Sequence, residues 1–542
     1  MLEVPTGPAT IRPMRDAGYT VGLLAAAILS GYGLLAPERL GLVIDFEPPV
    51  RIVGSISPGV TEPSAPGRPS GADTSAKPGV SVARPELAPS VPGRTERGRR
   101  LQTVRLTPDA RLEAARPMPD VRPAPQPAKP ERPRGTWSGA VAGKVLDQDG
   151  QALAGASVVA GGVETRVGDD GTFSVTPPSD ATLIVKRPGY AKVSVEPTPL
   201  KGPLELVMRP QLIKAAYLTY FGFGDRGIRG RVLALVERTE LNAVVIDVKG
   251  DRGWIIYPTR VEQALAIGAQ GPATLRDFDG MMADLKARGV YTIARIVTFK
   301  DNILATARPE LAVTDTRTGK PWVDREGLAW VDPFREEVWN YNIALAREAI
   351  ERGFDEVQFD YVRFPTDGKL QAAKYVKPVS KATRLPTIAA FLERARKELG
   401  ARGGYVAADL FGYTAFNEND TDIGQRIEEL APHLDYICPM VYPSGYHVGI
   451  PGFRNPVQNS YAVVRESVRL IRQRAAHTPA RVRPWLQDFR DYAFDRRIFG
   501  VSEIRDQIRG ADEGGSSGWM LWNPRNDYTG GALRAKIPLA AR

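Results

Sequence analysis

From Ala215 onward, short apolar runs alternate with amphipathic stretches. This alternation leaves few architectures open, because parallel strands joined by helices must bury both faces of their sheet. Eight runs are present: AAYLTYFG, AVVIDVKG, YTIARIVTF, EVQFDYVRFP, YVAADLFG, YICPMVYP, RVRPWLQDF and GWMLWNP. Eight repeated strand-helix units predict an α/β fold, a closed (β/α)8 TIM barrel with insertions, over residues 211–542. Between the runs, Asp332-Pro333 reads as the cap and first turn of a helix that carries Val338, Tyr341, Leu345 and Ala349 on one face.

The most informative run is Asp355 to Pro365, DEVQFDYVRFP. Successive strand residues face opposite sides, so Val357 and Phe359 point one way while Gln358 and Asp360 point the other. A carboxylate placed on a buried strand costs several kcal/mol unless partners or water satisfy it, which marks either a site or an internal ion pair. In a barrel of this kind chemistry sits at the carboxyl ends of the strands. The polar and aromatic residues near those ends are therefore the candidates: Asp247 and Lys249, Arg295, Asp360 with Tyr361 and Arg363, Asp409, Tyr442, Gln487 or Asp488, and Trp522 with Asn523. Taken singly, each has a plainer explanation; Asp247 with Lys249 or Arg295 reads equally as an ion pair, and Tyr442 or Trp522 as packing. Taken together, carboxylates, amides, cations and aromatic rings at one end of six or seven strands match what sugar rings require, directional partners for hydroxyls and flat faces for the apolar side of the ring.

Glycosidic cleavage needs two carboxyl groups across one bond, one protonated and one ionised. Asp360 and Asp409 end neighbouring strands and are the expected catalytic pair, with Asp488 in reserve. Arg295, Lys249 or Arg363 would hold one of them charged while an apolar wall raises the other. Long insertions between Lys300 and Val331, with Trp322 and Trp330, and between Pro443 and Pro456, with Tyr446 and His447, are expected either to wall a groove or to pin their own loops.

Before the barrel, residues 136–210 break into short Val-rich runs divided by Asp149-Gly150, Asp170-Gly171 and Pro turns, which predicts a small all-β sandwich. Residues 37–135 are rich in Pro, Arg, Ala, Ser and Gly with no periodic apolar pattern, the composition of a disordered basic linker. Between Pro48 and Gly135 the chain carries 15 Lys plus Arg against 8 Asp plus Glu, so +7 of the formal +10 charge belongs to this linker. The high charge thus gives no reason to expect nucleic acid as a partner of the folded parts. Ala17 to Ala36 is uncharged over a length that spans a bilayer as a helix, and Arg12 and Arg15 precede it. Residues 17–36 are expected to be a transmembrane anchor or signal segment, residues 1–16 cytoplasmic, and everything later extracytoplasmic, at the periplasm or cell surface.

The lone Cys438 excludes an internal disulfide, and His433, His447 and His477 show no metal-ligand spacing. No phosphate loop or dinucleotide fingerprint follows a strand, so neither metal nor cofactor is expected. Gly514 to Gly518 fits G-x-S-x-G but precedes a strand, where no nucleophile elbow can form.

On the residues AAYLTYFG, NAVVIDVKGDRG, ARIVTFKDN, WVDPFREEVWNYNIALAREAIERGFDEVQFDYVRFP, ADLFGY and PMVYPSGY, the span from Lys214 to Ala532 resembles a glycoside hydrolase family catalogued as a domain of unknown function within the TIM-barrel glycosidase superfamily. Residues 136–210, with GKVLDQDGQALAGASVVA and DDGTFSV, resemble carboxypeptidase regulatory-like and Cna-B-type β domains, which implies a spacer or binding module. The first resemblance implies a hydrolase acting on a polysaccharide or oligosaccharide. It departs from related glycosidases, which usually place glutamate in one catalytic role, in having aspartate at both Asp360 and Asp409. The alternatives are a non-catalytic glycan-binding protein and a structural envelope protein built on the same barrel.

Overall fold

The computed structural model describes residues 135–200, 202–272 and 275–536. The expected anchor at 17–36 and most of the basic linker lie outside them. Among the described residues no helix is long and apolar enough to cross a membrane.

Seven strands, β1 (Val141–Leu146), β2 (Ser157–Ala160), β3 (Val163–Arg166), β4 (Thr172–Val175), β5 (Leu183–Lys186), β6 (Val193–Val195) and β7 (Leu204–Val207), form two sheets in the orders β4-β1-β7 and β3-β2-β5-β6. The period of two in β1 turns Val141 and Val145 inward, where they meet Val158, Phe173, Leu183, Val185 and Leu206 from the other strands. Gly171 holds the turn before β4 at φ +81°, and a Cβ there would fall 2.7 Å from the Val145 carbonyl oxygen, so the turn and the close approach both require glycine. This is the sandwich that the Val-rich runs predict.

Each of the eight apolar runs contains a strand of the barrel: β8 (Ile213–Leu218), β9 (Ala243–Lys249), β10 (Tyr291–Val297), β11 (Glu356–Asp360), β12 (Tyr405–Phe411), β13 (Tyr436–Met440), β14 (Trp485–Gln487) and β15 (Gly518–Trp522). All neighbours pair in parallel, and β12 with β13 and β15 with β8 close the cylinder. The seventh segment is broken at Pro484, which cannot donate to the ladder; Arg481–Val482 pairs with β13 before the break and β14 continues after it. Outside the barrel lie helices α1 (Arg226–Arg238), α2 (Phe278–Ala287), α3 (Glu336–Glu351), α4 (Lys381–Gly400), α5 (Ser460–Arg474) and α6 (Val501–Gly514). Val338, Tyr341, Leu345 and Ala349 of α3 are all buried, as their spacing predicts. The expected cap is displaced. The helix starts at Glu336, while Asp332 accepts from Phe334 N at 2.9 Å and Val376 N at 2.7 Å, tying two loops together instead of capping.

Alternation stacks the barrel interior in layers. Tyr291, Glu356, Tyr405, Tyr436 and Arg483 lie at the amino end, with Arg483 and Glu356 ion-paired at 0% exposure and Tyr291 Oη donating to Glu356 at 2.9 Å. Ala215, Val245, Ile293, Ala407, Cys438, Trp485 and Met520 fill the middle. Cys438 is fully buried, and burial pushes its thiol far above the ordinary range, so it is inert packing. Polar residues occupy the carboxyl end.

The sandwich closes the opposite, amino-terminal end. Lys186 Nζ donates to Gly404 O at 2.8 Å, Lys192 Nζ to Asp355 O at 2.7 Å, Tyr405 Oη to Arg187 O at 2.9 Å, and Gly189 N to Tyr436 Oη at 3.0 Å. Arg396 of α4 joins the two bodies, bonding Glu164 at 2.8 and 3.1 Å and Asp435 at 3.1 Å. Arg396→Ala removes the salt-bridge partner of the buried Asp435 and is expected to cost about 2 kcal/mol in denaturant unfolding of the full chain, less than for a wholly sealed pair because Arg396 is partly exposed and Lys186 stays near. Burial pushes the Glu164 carboxyl up, but the Arg396 hydrogen bond and the Lys186 charge bring it down to about 2. Its stabilisation is therefore full above the ordinary value of 4.5 and drains away as pH falls toward 2, and in Glu164→Gln this part of the acid dependence disappears.

Candidate active site at the barrel mouth

The same strand parity that fills the barrel with apolar side chains sends Tyr217, Asp247, Arg295, Asp360, Asp409, Gln487 and Trp522 into its last layer, at the carboxyl end. Arg295 is the hub. Its Nη1 pairs with Asp247 and its Nη2 with Asp360, while Nε donates to Asp360 Oδ2 at 3.0 Å and lies 4.0 Å from Asp409 Oδ2. Sharing that nitrogen, the two aspartate oxygens are no further apart than 3.0 and 4.0 Å laid end to end. This bound admits both the separation of about 5–5.5 Å used by retaining glycosidases and the lower end, about 6.5 Å, of that used by inverting ones.

Each carboxylate has a second anchor. Tyr217 Oη donates to Asp247 Oδ2 at 2.6 Å, the Tyr361 N–H to Asp360 Oδ1 at 2.6 Å, and Trp485 Nε1 to Asp409 Oδ1 at 2.7 Å. The Tyr361 bond comes with backbone strain: φ is 49°, a left-handed conformation costly for a side chain with a Cβ and concentrated at functional positions. Aromatic rings wall the guanidinium. Arg295 lies 5.1 Å from the Trp522 ring centroid and 5.7 Å from that of Tyr217, and these two rings stack at 3.9 Å.

Three carboxyl groups around one cation cannot all ionise cheaply. Burial and the neighbouring Asp360 charge push Asp409 well above the usual carboxylate range, and Arg295 offsets this only in part. Arg295 is itself buried, yet Asp247 and Asp360 keep it firmly protonated. The result is unequal partners: Asp360 ion-paired at the floor of the mouth with 8% of its side chain exposed, and Asp409, 1% exposed, biased toward its neutral form.

Other expected site residues divide between the mouth and its surroundings. Tyr442, 6% exposed, packs edge-on against Phe489 and feels the charges of Asp409 and Asp360. Arg363 covers the rings of Trp330 and Tyr361 at 5.2 and 4.9 Å and bonds Phe364 O and Thr366 Oγ1, so it braces the strand-four loop beside the mouth. Gln487 points inward, but its amide is engaged by Ser444 N at 3.0 Å, Ser444 Oγ at 2.7 Å and Phe489 O at 3.2 Å.

Three residues are set apart from the cluster. Lys249 is fully buried against α3, paired with Asp301 at 2.6 Å and 5.3 Å from the Tyr341 ring, because the β9 register shifts after Asp247 and turns it outward. Asp488 faces the C-terminal loop and accepts from Thr529 N at 2.9 Å and Oγ1 at 2.8 Å; burial pushes it up to about 6. Asn523 bonds Asp488 O, Asp527 O and Arg525 N and builds that same loop. Trp322 and Trp330 are both 1% exposed, with indole N–H groups on Lys369 O and Asp324 at 3.0 Å, and Tyr446 Oη is 2.9 Å from Ser467 Oγ. Trp330 pins its own loop, Trp322 ties that insertion to the loop after β11 and Tyr446 ties its loop to α5, instead of walling a groove.

Sequence reasoning passed over Tyr217 and Trp485, although each shares the parity of an inward neighbour, Ala215 and Gln487. It also passed over Asp251, in the turn after β9 that Gly253 N closes on Gly250 O at 2.9 Å, and over the group around Lys300, whose Nζ is 2.6 Å from Glu326 and 3.1 Å from Asp324.

A family model described as "Putative glycosyl hydrolase domain" matches residues 215–528. None of the curated proteins matches the chain. A hypothetical protein from Ruminiclostridium thermocellum ATCC 27405 is 34% identical over 36% of this chain and 96% of its own, with a TM-score of 0.32. The PgaB (BpsB) glycoside hydrolase domain from Bordetella bronchiseptica is 14% identical over 58% and 95%, TM-score 0.41. The spore cortex-lytic enzyme SleL from Bacillus megaterium QM B1551 is 12% identical over 67% and 77%, TM-score 0.36. Structural similarities of this size carry no inference about the site.

Removing the hub strands two carboxylates. Arg295→Met is expected to cost about 3–5 kcal/mol in denaturant unfolding, and the triple change with Asp247→Asn and Asp360→Asn to recover most of that loss. Equal destabilisation by the single and triple variants would contradict the hub.

Proposed function

The chain belongs to this glycosyl hydrolase domain family, and we propose that its barrel cleaves glycosidic bonds in an extracytoplasmic glycan, a cell-wall or secreted polysaccharide, with Asp360 and Asp409 as its carboxyl pair. The observation that carries the reading is the unlike state of two carboxyls on adjacent strands, one paired to Arg295 and one kept neutral by burial and by its neighbour's charge. An oxocarbenium-like transition state places positive charge at the anomeric carbon, and a carboxylate fixed beneath that carbon stabilises it. Asp360 is held for this role by Arg295 and the Tyr361 N–H. Asp409, in neutral form, avoids placing another negative charge beside it.

Asp247, Arg295, Tyr361, Tyr442 and Trp522 shape the sugar position, with Arg363 and Gln487 bracing its margins. Trp522 Nε1 has no acceptor among the described residues, which leaves a donor for a substrate oxygen. The extracytoplasmic location is proposed from the uncharged run at 17–36 with the arginines before it, and the glycan class from that location.

A second reading, a glycan-binding protein without turnover, draws on the near-complete burial of Asp409. Reducing-end release by the full chain from a panel of wall and secreted polysaccharides separates the two. On the substrate cleaved, Asp360→Asn is expected to lose about 10²–10⁴-fold in kcat while still binding, and Asp409→Asn, which leaves a neutral group beside Asp360, to lose far less. Glycan binding by a wild type that releases no reducing ends from the whole panel favours the second reading.

A further inference from the structure

Asp251 is a buried carboxyl that no hydrogen-bond donor among the described residues meets. It occupies the second position of the Gly250–Gly253 turn that ends β9 and is 7% exposed. Most buried carboxylates collect donors, as Asp247 and Asp360 do here from Arg295 with Tyr217 or the Tyr361 N–H, and Asp409 from Trp485. A carboxyl that lacks them is met by water, by a ligand or by keeping its own proton, and the oxygens of Asp251 are not among the sealed, unpartnered atoms of the described residues. The charged groups facing it are Lys300 and Glu326 from beyond β10, Arg295 of β10 and Asp247 of β9. Tyr361 feels both Asp251 and Asp360, so the two carboxyls border the same strained residue.

The mouth therefore has two neutral-leaning carboxyls flanking the Arg295–Asp360 pair, on the β9 and β12 sides. They are not equivalent. Asp409 is fastened by Trp485 and 2% exposed against 7% for Asp251, and a group so placed is poorly set to reach an oxygen that leaves toward solvent. Asp251 lies on a turn, more exposed and free of such a bond. We propose that Asp251 is the catalytic acid that protonates the departing sugar oxygen, while Asp409 acts on Asp360 from behind. The inference rests on the hydrolase reading above and settles which group supplies its proton.

In the step, the bond from the anomeric carbon to the leaving oxygen breaks with its electron pair passing to that oxygen, which takes the Asp251 proton and departs as an alcohol. An oxygen on the Asp360 side, from the carboxylate or from a water that yields its proton to it, forms the new bond to the carbon. If the carboxylate attacked, a later water restores it by adding its hydroxyl to the carbon and its proton to Asp251; if water attacked, exchange with solvent resets both groups. Burial, with the charges of Glu326 and Asp247, brings Asp251 up to about 7 against the opposing pull of Lys300 and Arg295, which suits an acid that works near neutrality.

The test compares the full-length wild type and Asp251→Asn on the oligosaccharide the enzyme cleaves and on the 4-nitrophenyl glycoside of the same sugar, whose leaving group departs without a proton. An acid must be protonated to act, so wild-type kcat/KM on the oligosaccharide is expected to fall as pH rises through about 7. Asp251→Asn is expected to lose that alkaline limb and about 10²–10⁴-fold in rate on the oligosaccharide, with a far smaller loss on the nitrophenyl glycoside. Asp251→Ala is expected to regain nitrophenyl turnover with added azide, delivered as a glycosyl azide, if cleavage passes through a covalent enzyme ester. A wild type inactive on every glycan overturns the hydrolase reading and this inference with it. An active wild type whose Asp251→Asn variant keeps its rate and alkaline limb, or loses both substrates equally while still folded by circular dichroism, overturns this inference alone.

Discussion

A single guanidinium holds the mouth together. Arg295 is planar and permanently charged, and its forked donors reach Asp247 on one side and Asp360 on the other. A lysine at this position could supply the charge but could not span both strands with fixed geometry. The aromatic rings of Tyr217 and Trp522 lie close to it, so the cation keeps favourable contacts where water is scarce. Without this arrangement, three buried carboxyls at one end of the cylinder would repel one another. With it, their surroundings are unequal: Asp247 and Asp360 share the cation, and the Asp409 carboxyl is pushed upward by burial and by Asp360.

The two ends of the barrel use the same kind of interaction for different purposes. At the amino end, Arg483 and Glu356 form a sealed pair of one cation and one carboxylate, with tyrosine support and the sandwich packed over that end. Every charge there is matched, as expected of a structural ion pair. At the carboxyl end carboxyls outnumber cations, a tyrosine backbone is strained, and Asp251 is left without a donor. Imbalance of this sort separates a site from a brace more clearly than the presence of charge does.

The barrel was legible from the sequence because each strand left its own apolar run. Parity also brought Asp247, Arg295, Asp360, Asp409 and Trp522 into one layer. It failed at Lys249, because a register shift reverses the facing of everything beyond it and leaves no mark in composition. It was ambiguous at Gln487 and Asp488, where alternation allowed only one inward residue and the amide took that place. Asp251 was invisible for a related reason: a turn has no period, so its side-chain directions depend on backbone geometry that only the fold supplies. Trp322 and Trp330 looked like groove walls because large aromatics in long insertions have two uses, and here their indole N–H groups are committed, Trp330 to Asp324 of its own loop and Trp322 to Lys369 O in the loop after β11.

The stopper at the amino end also governs traffic. With the cylinder packed by its own side chains and the sandwich stitched across its base, there is no passage from one end to the other. Whatever enters through the rim must also leave through it. A long polymer could not be threaded through such a blind alley; one that met the mouth would have to lie across the opening and withdraw sideways past the surrounding loops.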